Sequence, residues 1–528
     1  MKKSVKTIAS LALAGCLGAS MFTACNPYEN REDTLYVAAI NKGYGITWLE
    51  PMLQRFCELN PGMKYSIKPF AADGEIGKHV NNGLSYCNFD VIFTGDFVPA
   101  EAANLADLTD IYNYTYESGS RAGKKVGDLM ESQIKKAMTT RTDGTAYKVM
   151  PWTASMGSFC LNYTKLNELF EEGWEETYKL RTTEELVEFC EAIYQTNRDK
   201  DKKNWTYAFS HASDNNTNGG LFDAWFAQYN GLQGIAYYNK GIYADERMEE
   251  SLWEIKPEVA YNYGTLEALE VGKQIWGGLN KYENNYYWHP ESNNMPWEDA
   301  DINFMTGVSV LSSQGDWVTT EAGVQFPNVD IRYKRVPVVS ALGEKLGITE
   351  DELCEFIDYV DAVNDGQTPT KPSVSTDGYT TDELIEIITE ARSLVNSSAG
   401  YFTCAIPSYS LKLDMAKNFL KFMVGDEGQE IFMKNAKGLT MCYGWNAEES
   451  SAYANLSTFA KSRFEIMRNC ILNVDDQISK YPKLGLAPFR SALKEPLCVS
   501  LTSAKTATEI WEEDYAYFQK NWATWQSR

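Results

Sequence analysis

The sequence predicts an α/β protein of two or more lobes, and two observations carry this prediction. The chain has 528 residues, and removing a 25-residue leader leaves 503, far more than one hydrophobic core usually holds. Strand patterns alternate with helical patterns along its first part, which is typical of a mostly parallel sheet with helices on both faces. An apolar fraction of 44% and an aromatic fraction of 13% indicate a folded chain.

Hydrophobic periodicity predicts the first elements in chain order. Residues 34–40 form a buried strand, and Gly43-Tyr44-Gly45 then turns the chain into a helix that ends at Asn60-Pro61-Gly62. Two more strands are predicted at 65–69 and 89–93. Further helices are predicted from a capping box at 182–185 and from the apolar spacing in 260–279, 411–436 and 505–525.

One segment differs from the rest in charge. Residues 350–395 contain twelve acidic residues and two basic ones around a turn-rich centre, Asp365 to Pro372. This composition predicts a pair of helices with a solvated face on a surface insertion spanning about 340–395. A partner-binding role for the insertion is the alternative.

The first 25 residues predict export. Three lysines (Lys2, Lys3 and Lys6) precede an apolar run that is too short and too rich in small residues to span a membrane. The run ends at Phe22-Thr23-Ala24-Cys25, which resembles a bacterial lipobox, so we expect Cys25 to be acylated and to anchor the chain at the extracytoplasmic face of the membrane. Cys16 is the alternative acceptor, although its apolar run has only about seven residues. An ordinary secretory cleavage site is the other alternative.

Several function classes are not supported by the sequence. The net charge of −23 disfavours nucleic-acid binding, because a phosphate backbone would be repelled. Three histidines without ligand spacing argue against zinc. Gly119 to Lys124 resembles a phosphate loop but has the wrong spacing. We therefore expect no cofactor and no metal, while a pair of carboxylates suited to glycoside hydrolysis stays open.

Aromatic residues are the strongest positive signal. The chain has 14 tryptophans and 32 tyrosines, and Trp152, Trp317 and Trp445 lie in polar turns. An indole combines a flat apolar face with one N–H donor, which suits a sugar ring with an apolar C–H face and a rim of hydroxyl groups. The alternative for any one of them is core packing. For the group, we predict that two or three contact a carbohydrate.

The order of four segments resembles the extracellular solute-binding proteins of ABC importers, in the maltose-binding-protein-like class. The first two are Asp90 to Phe93, and Tyr147 to Pro151 leading into Ser158 to Tyr163. The third, Phe304 to Trp317, is similar to the family's F-x-x-G … G-x-W segment, and the fourth runs from Ala399 to Gln429. The chain departs from the family in its greater length and in the inverted pair Asn162-Tyr163.

The resemblance implies a two-lobe periplasmic-binding-protein-like fold (class II-type) with a ligand cleft between the lobes. We expect the first lobe at 26–150 plus 308–398, with the insertion at 340–395, and the second at 153–303 plus 406–528. Crossings between the lobes are expected near 150–153, 303–308 and 398–406.

The resemblance also implies a monomeric protein, with no catalytic role, that delivers its ligand to a membrane permease. Trp317 matches the tryptophan that the family stacks on sugar. The other expected ligand contacts come from polar aromatic turns and lobe crossings, namely Trp152, Trp225, Trp445, Asp96, Tyr44, Trp48 and Tyr401. A secreted glycoside hydrolase and a lipid-anchored adhesin or scaffold are the alternatives.

Overall fold

A computed structural model describes most of the chain. The described residues are 32–71, 73–82, 88–94, 103–132, 134–135, 138, 147–212, 218–239, 242–243, 254–277, 287–397, 402–474 and 494–526. The predicted leader with Cys16 and Cys25, and the predicted site residues Asp96 and Tyr401, lie outside them. Among the described residues, none of the helices combines the length and the apolar character that a membrane crossing needs.

The strands and helices alternate along the first part of the chain, as predicted. The strands are β1 Thr34–Ile40, β2 Lys64–Phe70, β3 Val91–Thr94, β4 Met150–Pro151, β5 Gly157–Asn162, β6 Tyr207–Phe209, β7 Ile242–Tyr243, β8 Glu254–Ile255, β9 Ser309–Gly315, β10 Ile331–Lys334, β11 Leu394–Ser397, β12 Thr403–Ala405 and β13 Ile471–Val474. The helices are α1 Leu49–Leu59, α2 Asp73–Asn81, α3 Thr109–Tyr112, α4 Val126–Leu129, α5 Tyr163–Phe170, α6 Thr183–Gln195, α7 Gly219–Asn239, α8 Tyr263–Trp276, α9 Trp297–Thr306, α10 Val318–Glu321, α11 Ala341–Leu346, α12 Glu350–Asn364, α13 Thr381–Ser393, α14 Leu413–Met423, α15 Asp426–Asn435, α16 Thr458–Met467, α17 Leu497–Thr502 and α18 Ala507–Gln526.

The first lobe is built on a five-stranded sheet in the order β2-β1-β3-β12-β4. Strand β1 pairs in parallel with β2 and β3, and β12 is antiparallel to β3 and β4. Every residue of β1 is buried, which explains its unbroken apolar pattern. The carboxyl ends of β1, β3 and β4 therefore meet at one edge, together with the amino end of β12.

The second lobe is built on a six-stranded sheet in the order β13-β11-β5-β9-β6, with β10 paired to β5. Strand β5 is antiparallel to β9, β10 and β11, whereas β6 is parallel to β9 and β13 is parallel to β11. The carboxyl ends of β6, β9 and β11 thus share an edge with the amino end of β5.

Two short connections join these edges and set the position of the cleft. The chain leaves β4 at Pro151 and enters β5 at Gly157, and it leaves β11 at Ser397 and enters β12 at Thr403. Five residues span less than about 20 Å. The two edges must therefore face each other, and open α/β sheets bind ligands at such edges.

The predicted lobe boundaries are wrong in two places. Residues 308–398 were assigned to the first lobe, yet β9 pairs with β5 and β6 in the second sheet. Helix α9 leads into β9 within the same lobe, so no crossing occurs at 303–308. Residues 406–528 were assigned to the second lobe, but α14 and α15 pack on α1 in the first lobe. Apolar periodicity identifies a strand without identifying the sheet it joins.

The acidic segment is a helical pair, as predicted, but it is not a surface insertion in the first lobe. Capping boxes at Thr349 and Thr380 start α12 and α13. Their apolar faces, which include Phe356 and Ile388, are buried in the core of the second lobe. The acidic residues lie mainly on the opposite, solvated face. This segment therefore belongs to the second lobe.

Candidate functional site

An aromatic cluster fills the space where the two sheet edges meet. The Trp48 and Trp152 indoles stack with their centroids 5.2 Å apart, and Tyr44 is edge-on to Trp152 at 5.6 Å and to Trp317 at 5.8 Å. Phe402 lies 4.7 Å from the Tyr44 ring. The structure thus brings together four of the predicted site residues from three separate segments, with Tyr44 and Trp48 both in the β1–α1 connection.

Only one of these four aromatic residues is accessible in this arrangement. Tyr44, Trp48 and Trp152 are buried, whereas Trp317 is partly exposed and packs against the edge of the cluster. Trp317 follows β9 directly, at the edge of the second sheet that faces the first lobe. Among these four residues, Trp317 is therefore the one best placed to contact a molecule in the cleft.

Glycines allow the close packing around Trp317. A β-carbon added at Gly315 would lie 2.4 Å from the Trp317 ring, so only glycine leaves room for the indole there. Gly43, which precedes Tyr44, has a φ of 58°, a left-handed backbone conformation that favours glycine. The Gly315-Asp316-Trp317 sequence therefore has a physical basis, because glycine at position 315 leaves room for the indole of Trp317.

A buried carboxylate lies beneath Trp317. Asp316 is 0% exposed and forms an ion pair with Arg463, at 2.8 Å between Oδ2 and Nε. The Tyr44 hydroxyl donates to Asp316 Oδ1 at 2.6 Å, and the Met156 amide donates to Oδ2 at 3.2 Å. Burial, and then the Asp316 charge, raise the pKa of the Tyr44 phenol, so this group stays protonated and donates.

The same ion pair holds the connections between the lobes. Arg463 Nη2 donates to the Ala154 carbonyl and Nη1 donates to Thr440 Oγ1, both at 3.1 Å. The Trp152 amide donates to the Phe402 carbonyl at 3.1 Å, and the Ala154 amide donates to the Thr440 carbonyl at 2.9 Å. The β4–β5 connection therefore lies beside the segments that contain Phe402 and Thr440 at the lobe boundary.

Two carboxylates lie near the cleft on the second lobe. Glu321 Oε1 accepts the Gly43 amide at 3.1 Å across the lobe boundary, and Asp301 Oδ1 accepts Gln314 Nε2 at 2.9 Å. Burial raises the pKa of Asp301 to about 6. Burial, followed by the nearby Asp301 charge, also raises the pKa of Glu321. These acceptors suit ligand hydroxyl groups better than ligand anions.

One buried histidine follows β6 at the same edge. His211 is 4% exposed, and its Nε2 has no hydrogen-bond partner. Burial lowers its pKa to about 4, so the ring is neutral at pH 7. Within the described ranges, histidine, cysteine, aspartate and glutamate side chains form no group of three that could hold a metal ion.

Two predicted site residues lie elsewhere. Trp225 is 0% exposed and packs with Phe222 in the core of the second lobe, so it is a core residue rather than a cleft residue. Trp445 was expected on the second lobe, but it packs beside Met433 after α15. The adjacent Gly444 amide donates to the Leu129 carbonyl of the first lobe at 2.6 Å. The prediction for Trp445 rested on its neighbours Gly444 and Asn446, which do not reveal the elements on which it packs.

Several residues of this site were not predicted from the sequence, and three of them belong to the aromatic cluster and the ion pair. Phe402 completes the aromatic cluster, and Asp316 and Arg463 form the buried pair. Asp316 lies between two residues that were singled out, so its acidic side chain next to a predicted ligand contact was an available signal. No sequence signal pointed to Arg463, because it lies 147 positions from Asp316 in the chain and only the fold brings the two together.

No protein-family model and no curated protein matches the sequence. Solved structures do match over nearly the whole chain. A probable secreted solute-binding lipoprotein from Streptomyces coelicolor has a TM-score of 0.57 at 11% identity, with 92% of this chain and 99% of that chain covered. Apo RafE from Streptococcus pneumoniae has a TM-score of 0.55 at 14% identity, with 93% and 99% covered.

A third similar structure is MalE3 from T. maritima with maltose bound, which has a TM-score of 0.54 at 14% identity. It is matched over 92% of this chain and 99% of its own. At such identities the likeness establishes the fold. The two sheets, their facing edges and these matches show that the chain has a two-lobe periplasmic-binding-protein-like fold.

Proposed function

We propose that this chain is the carbohydrate-binding component of an ABC importer. In this proposal the chain captures an oligosaccharide between its lobes and delivers it to a membrane permease. The observation that carries the proposal is the partly exposed Trp317, held at the facing sheet edges by a buried aromatic cluster. An indole face at this edge can stack on the C–H face of a sugar ring.

The similar structures support the carbohydrate class. RafE has been solved in complex with raffinose, at a TM-score of 0.53 to this chain, and MalE3 with maltose. The Listeria monocytogenes protein Lmo0181, with a TM-score of 0.53, carries cycloalternan. Each of these three proteins holds a bound saccharide, which supports a proposed activity of capture and release without turnover.

The mechanism follows from the connections between the lobes. The chain crosses after Pro151, after Ser397 and again between α15 and α16, and rotation of the lobes about these crossings would open or close the space between the sheet edges. A sugar that contacts both lobes stabilises the closed arrangement by its differential affinity for it. Trp317 would supply the apolar face, and Glu321 and Asp301 are candidate acceptors for hydroxyl groups. The closed, monomeric form would then dock on the permease.

The test is a thermal-shift screen of residues 26–528 against saccharides, with amino acids and peptides as controls. A ligand at a hundred times its Kd stabilises a protein by about 2.7 kcal/mol, which raises its Tm by several degrees. We expect a rise with one saccharide family and no released product on incubation. Product formation would favour a glycoside hydrolase, and a rise with peptides alone would overturn the sugar assignment.

The role of Trp317 is tested with two tryptophan variants. Trp317→Ala should weaken the binding of the saccharide found in the screen by more than tenfold, about 1.4 kcal/mol, measured by calorimetry. Trp205→Ala is the matched control, because this half-buried tryptophan donates to the Lys200 carbonyl in a loop ahead of β6. Equal affinities in both variants would remove Trp317 from the site.

We also propose a lipid anchor at Cys25 that holds the protein at the extracytoplasmic face of the membrane. Support comes from the leader sequence, which places a cysteine directly after Phe22-Thr23-Ala24. Cys25→Ser should release the protein from membranes and abolish incorporation of labelled palmitate, whereas Cys16→Ser should leave both unchanged. The reverse pattern would assign Cys16 instead.

A further inference from the structure

Tyr44 occupies an unusual position, because one side chain contacts the ligand-facing indole, two of the lobe connections and the buried ion pair. Its ring lies edge-on to Trp317, Trp152 and Phe402, with centroid distances of 5.8, 5.6 and 4.7 Å. Its hydroxyl donates to Asp316 Oδ1 at 2.6 Å. The side chain is buried, so in this arrangement it cannot itself touch a ligand.

We propose that Tyr44 is a positioning residue, which couples the conformation of Trp317 to the arrangement of the lobes through its hydrogen bond to Asp316. The proposal rests on the proposed function in one respect, namely that Trp317 contacts the ligand. It replaces the earlier expectation that Tyr44 contacts the ligand directly.

The partners of Asp316 show why Tyr44 has this role. Among the described contacts of this carboxylate, Arg463 lies on a helix packed against β10 of the second lobe, and Met156 lies in the β4–β5 connection. Tyr44 follows β1 and belongs to the first lobe. Its hydroxyl therefore forms the side-chain hydrogen bond to Asp316 that spans the two lobes, and rotation of the lobes must change its geometry.

The neighbouring backbone reinforces this link. The Gly43 amide donates to Glu321 Oε1 at 3.1 Å, and the Lys437 ammonium donates to the Thr319 carbonyl at 2.6 Å. The first lobe thus contacts the second-lobe segment 316–321 on both sides of Trp317. A ligand that moves the indole also moves the residues held by these contacts.

The energetic consequence follows from burial. A buried hydrogen bond to a charged group contributes more than a neutral one, and its loss leaves Asp316 with an unfilled acceptor site. Lobe arrangements that keep the Tyr44–Asp316 bond are therefore favoured over those that break it. Removing the hydroxyl should let Trp317 and the lobes sample more than one arrangement.

The test compares Tyr44→Phe with Tyr443→Phe in the chain 26–528. Both tyrosines are buried at the lobe boundary, but the Tyr443 hydroxyl donates to the Pro151 carbonyl at 2.8 Å. Tyr443 thus controls for the loss of a buried phenol near the connection. Incorporated 5-fluorotryptophan gives a ¹⁹F resonance for Trp317, which is assigned by its absence in Trp317→Phe.

In the ligand-free protein, Tyr44→Phe should shift or split the Trp317 resonance, and Tyr443→Phe should leave it unchanged. The saccharide should dissociate from Tyr44→Phe at least fivefold faster than from the wild-type protein, while its association rate constant changes by less than twofold. An unchanged resonance and an unchanged dissociation rate would overturn the proposal. The ¹⁹F result stands even if no saccharide binds, so the two proposals fail separately.

Circular dichroism establishes whether Tyr44→Phe folds. If it does not, the Trp317 resonance is measured in Asp316→Ala instead, because alanine removes the atom that accepts the Tyr44 hydroxyl. An unmoved Trp317 resonance in folded Asp316→Ala would equally overturn the coupling.

Discussion

The indole of Trp317 lies directly over the α-carbon of Gly315. A β-carbon at position 315 would approach the ring atoms to 2.4–2.5 Å, a separation that real β-carbons do not show. The strand end and the aromatic side chain are therefore mutually dependent, because the glycine provides the surface on which the ring rests. In the proposed function this contact fixes the indole face that a sugar would meet.

Replacing Gly315 with alanine should displace this ring. We expect Gly315→Ala to alter the fluorescence of Trp317 and to weaken saccharide binding about tenfold, which corresponds to about 1.4 kcal/mol. Calorimetry measures the affinity, and the difference spectrum against Trp317→Phe isolates the fluorescence. Gly378→Ala is the matched control, because a β-carbon there meets open space. Equal behaviour of the two variants would show that the ring is not held by Gly315.

Asp301 should make stability depend on pH in an unusual direction. Burial raises its pKa from 3.8 to about 6, so the folded state takes up a proton at a higher pH than the unfolded state. Its stabilising contribution is fully present below pH 3.8 and is lost as the pH rises through about 6. The difference amounts to roughly 3 kcal/mol.

Urea unfolding of Asp301→Asn at pH 7.5 and pH 4.5 tests this prediction. Relative to the variant, the wild-type protein should gain stability as the pH is lowered. Asp299→Asn, an exposed substitution on the same helix, is the control and should show no comparable difference. Parallel pH profiles of wild type and Asp301→Asn would contradict the raised pKa.

His211 should make the stability of the protein depend on pH in the opposite direction. Burial lowers its pKa from 6.5 to about 4, so the unfolded state binds the proton first. As the pH falls from 6.5 to 4, the wild-type protein should therefore lose roughly 3 kcal/mol relative to His211→Gln. Urea unfolding across this range measures the difference, with His79→Gln as the control. A wild-type profile parallel to that of His211→Gln would show that the ring takes up a proton in the folded state.

The local elements could largely be predicted from the sequence. Apolar runs gave β1 with its observed bounds, and the strand predicted at 65–69 is β2, one residue longer at each end. The helix predicted over 260–279 is α8, which is shorter because its end is set by Gly277. These features depend on contacts between neighbouring residues, so the information lies within a short window.

The sheet order and the buried part of the site could not be predicted in the same way. Strand β9 joins β5 and β6 because of packing across the second lobe, and no local pattern distinguishes this from a place in the first sheet. Tyr44 and Trp152 were predicted as ligand contacts from their neighbours in sequence, whereas their burial depends on Phe402 and on the Asp316–Arg463 pair. Such long-range contacts leave no trace in local spacing.

The acidic helical pair provides the last prediction, because sequence and structure assign it different roles. Arg392 is buried, and its Nη2 and Nε donate to the Asp361 carboxylate at 2.8 and 3.0 Å. Arg335 Nε lies 3.8 Å from the same carboxylate. Asp361→Asn leaves two guanidinium groups at the second-lobe core without their counter-charge, and such a loss costs on the order of 3 kcal/mol.

The matched control is Asp382→Asn, which removes an exposed partner of Lys371 on the solvated side of the same pair of helices. Surface pairs of this kind contribute little to stability. Urea unfolding followed by far-UV circular dichroism should therefore show a lower midpoint for Asp361→Asn, and a midpoint within error of wild type for Asp382→Asn. If the segment were a separate surface insertion, Asp361→Asn would instead expose only residues 340–395 to limited proteolysis and leave the main unfolding transition in place. A lowered main transition is the outcome expected of helices whose apolar faces form part of the second-lobe core.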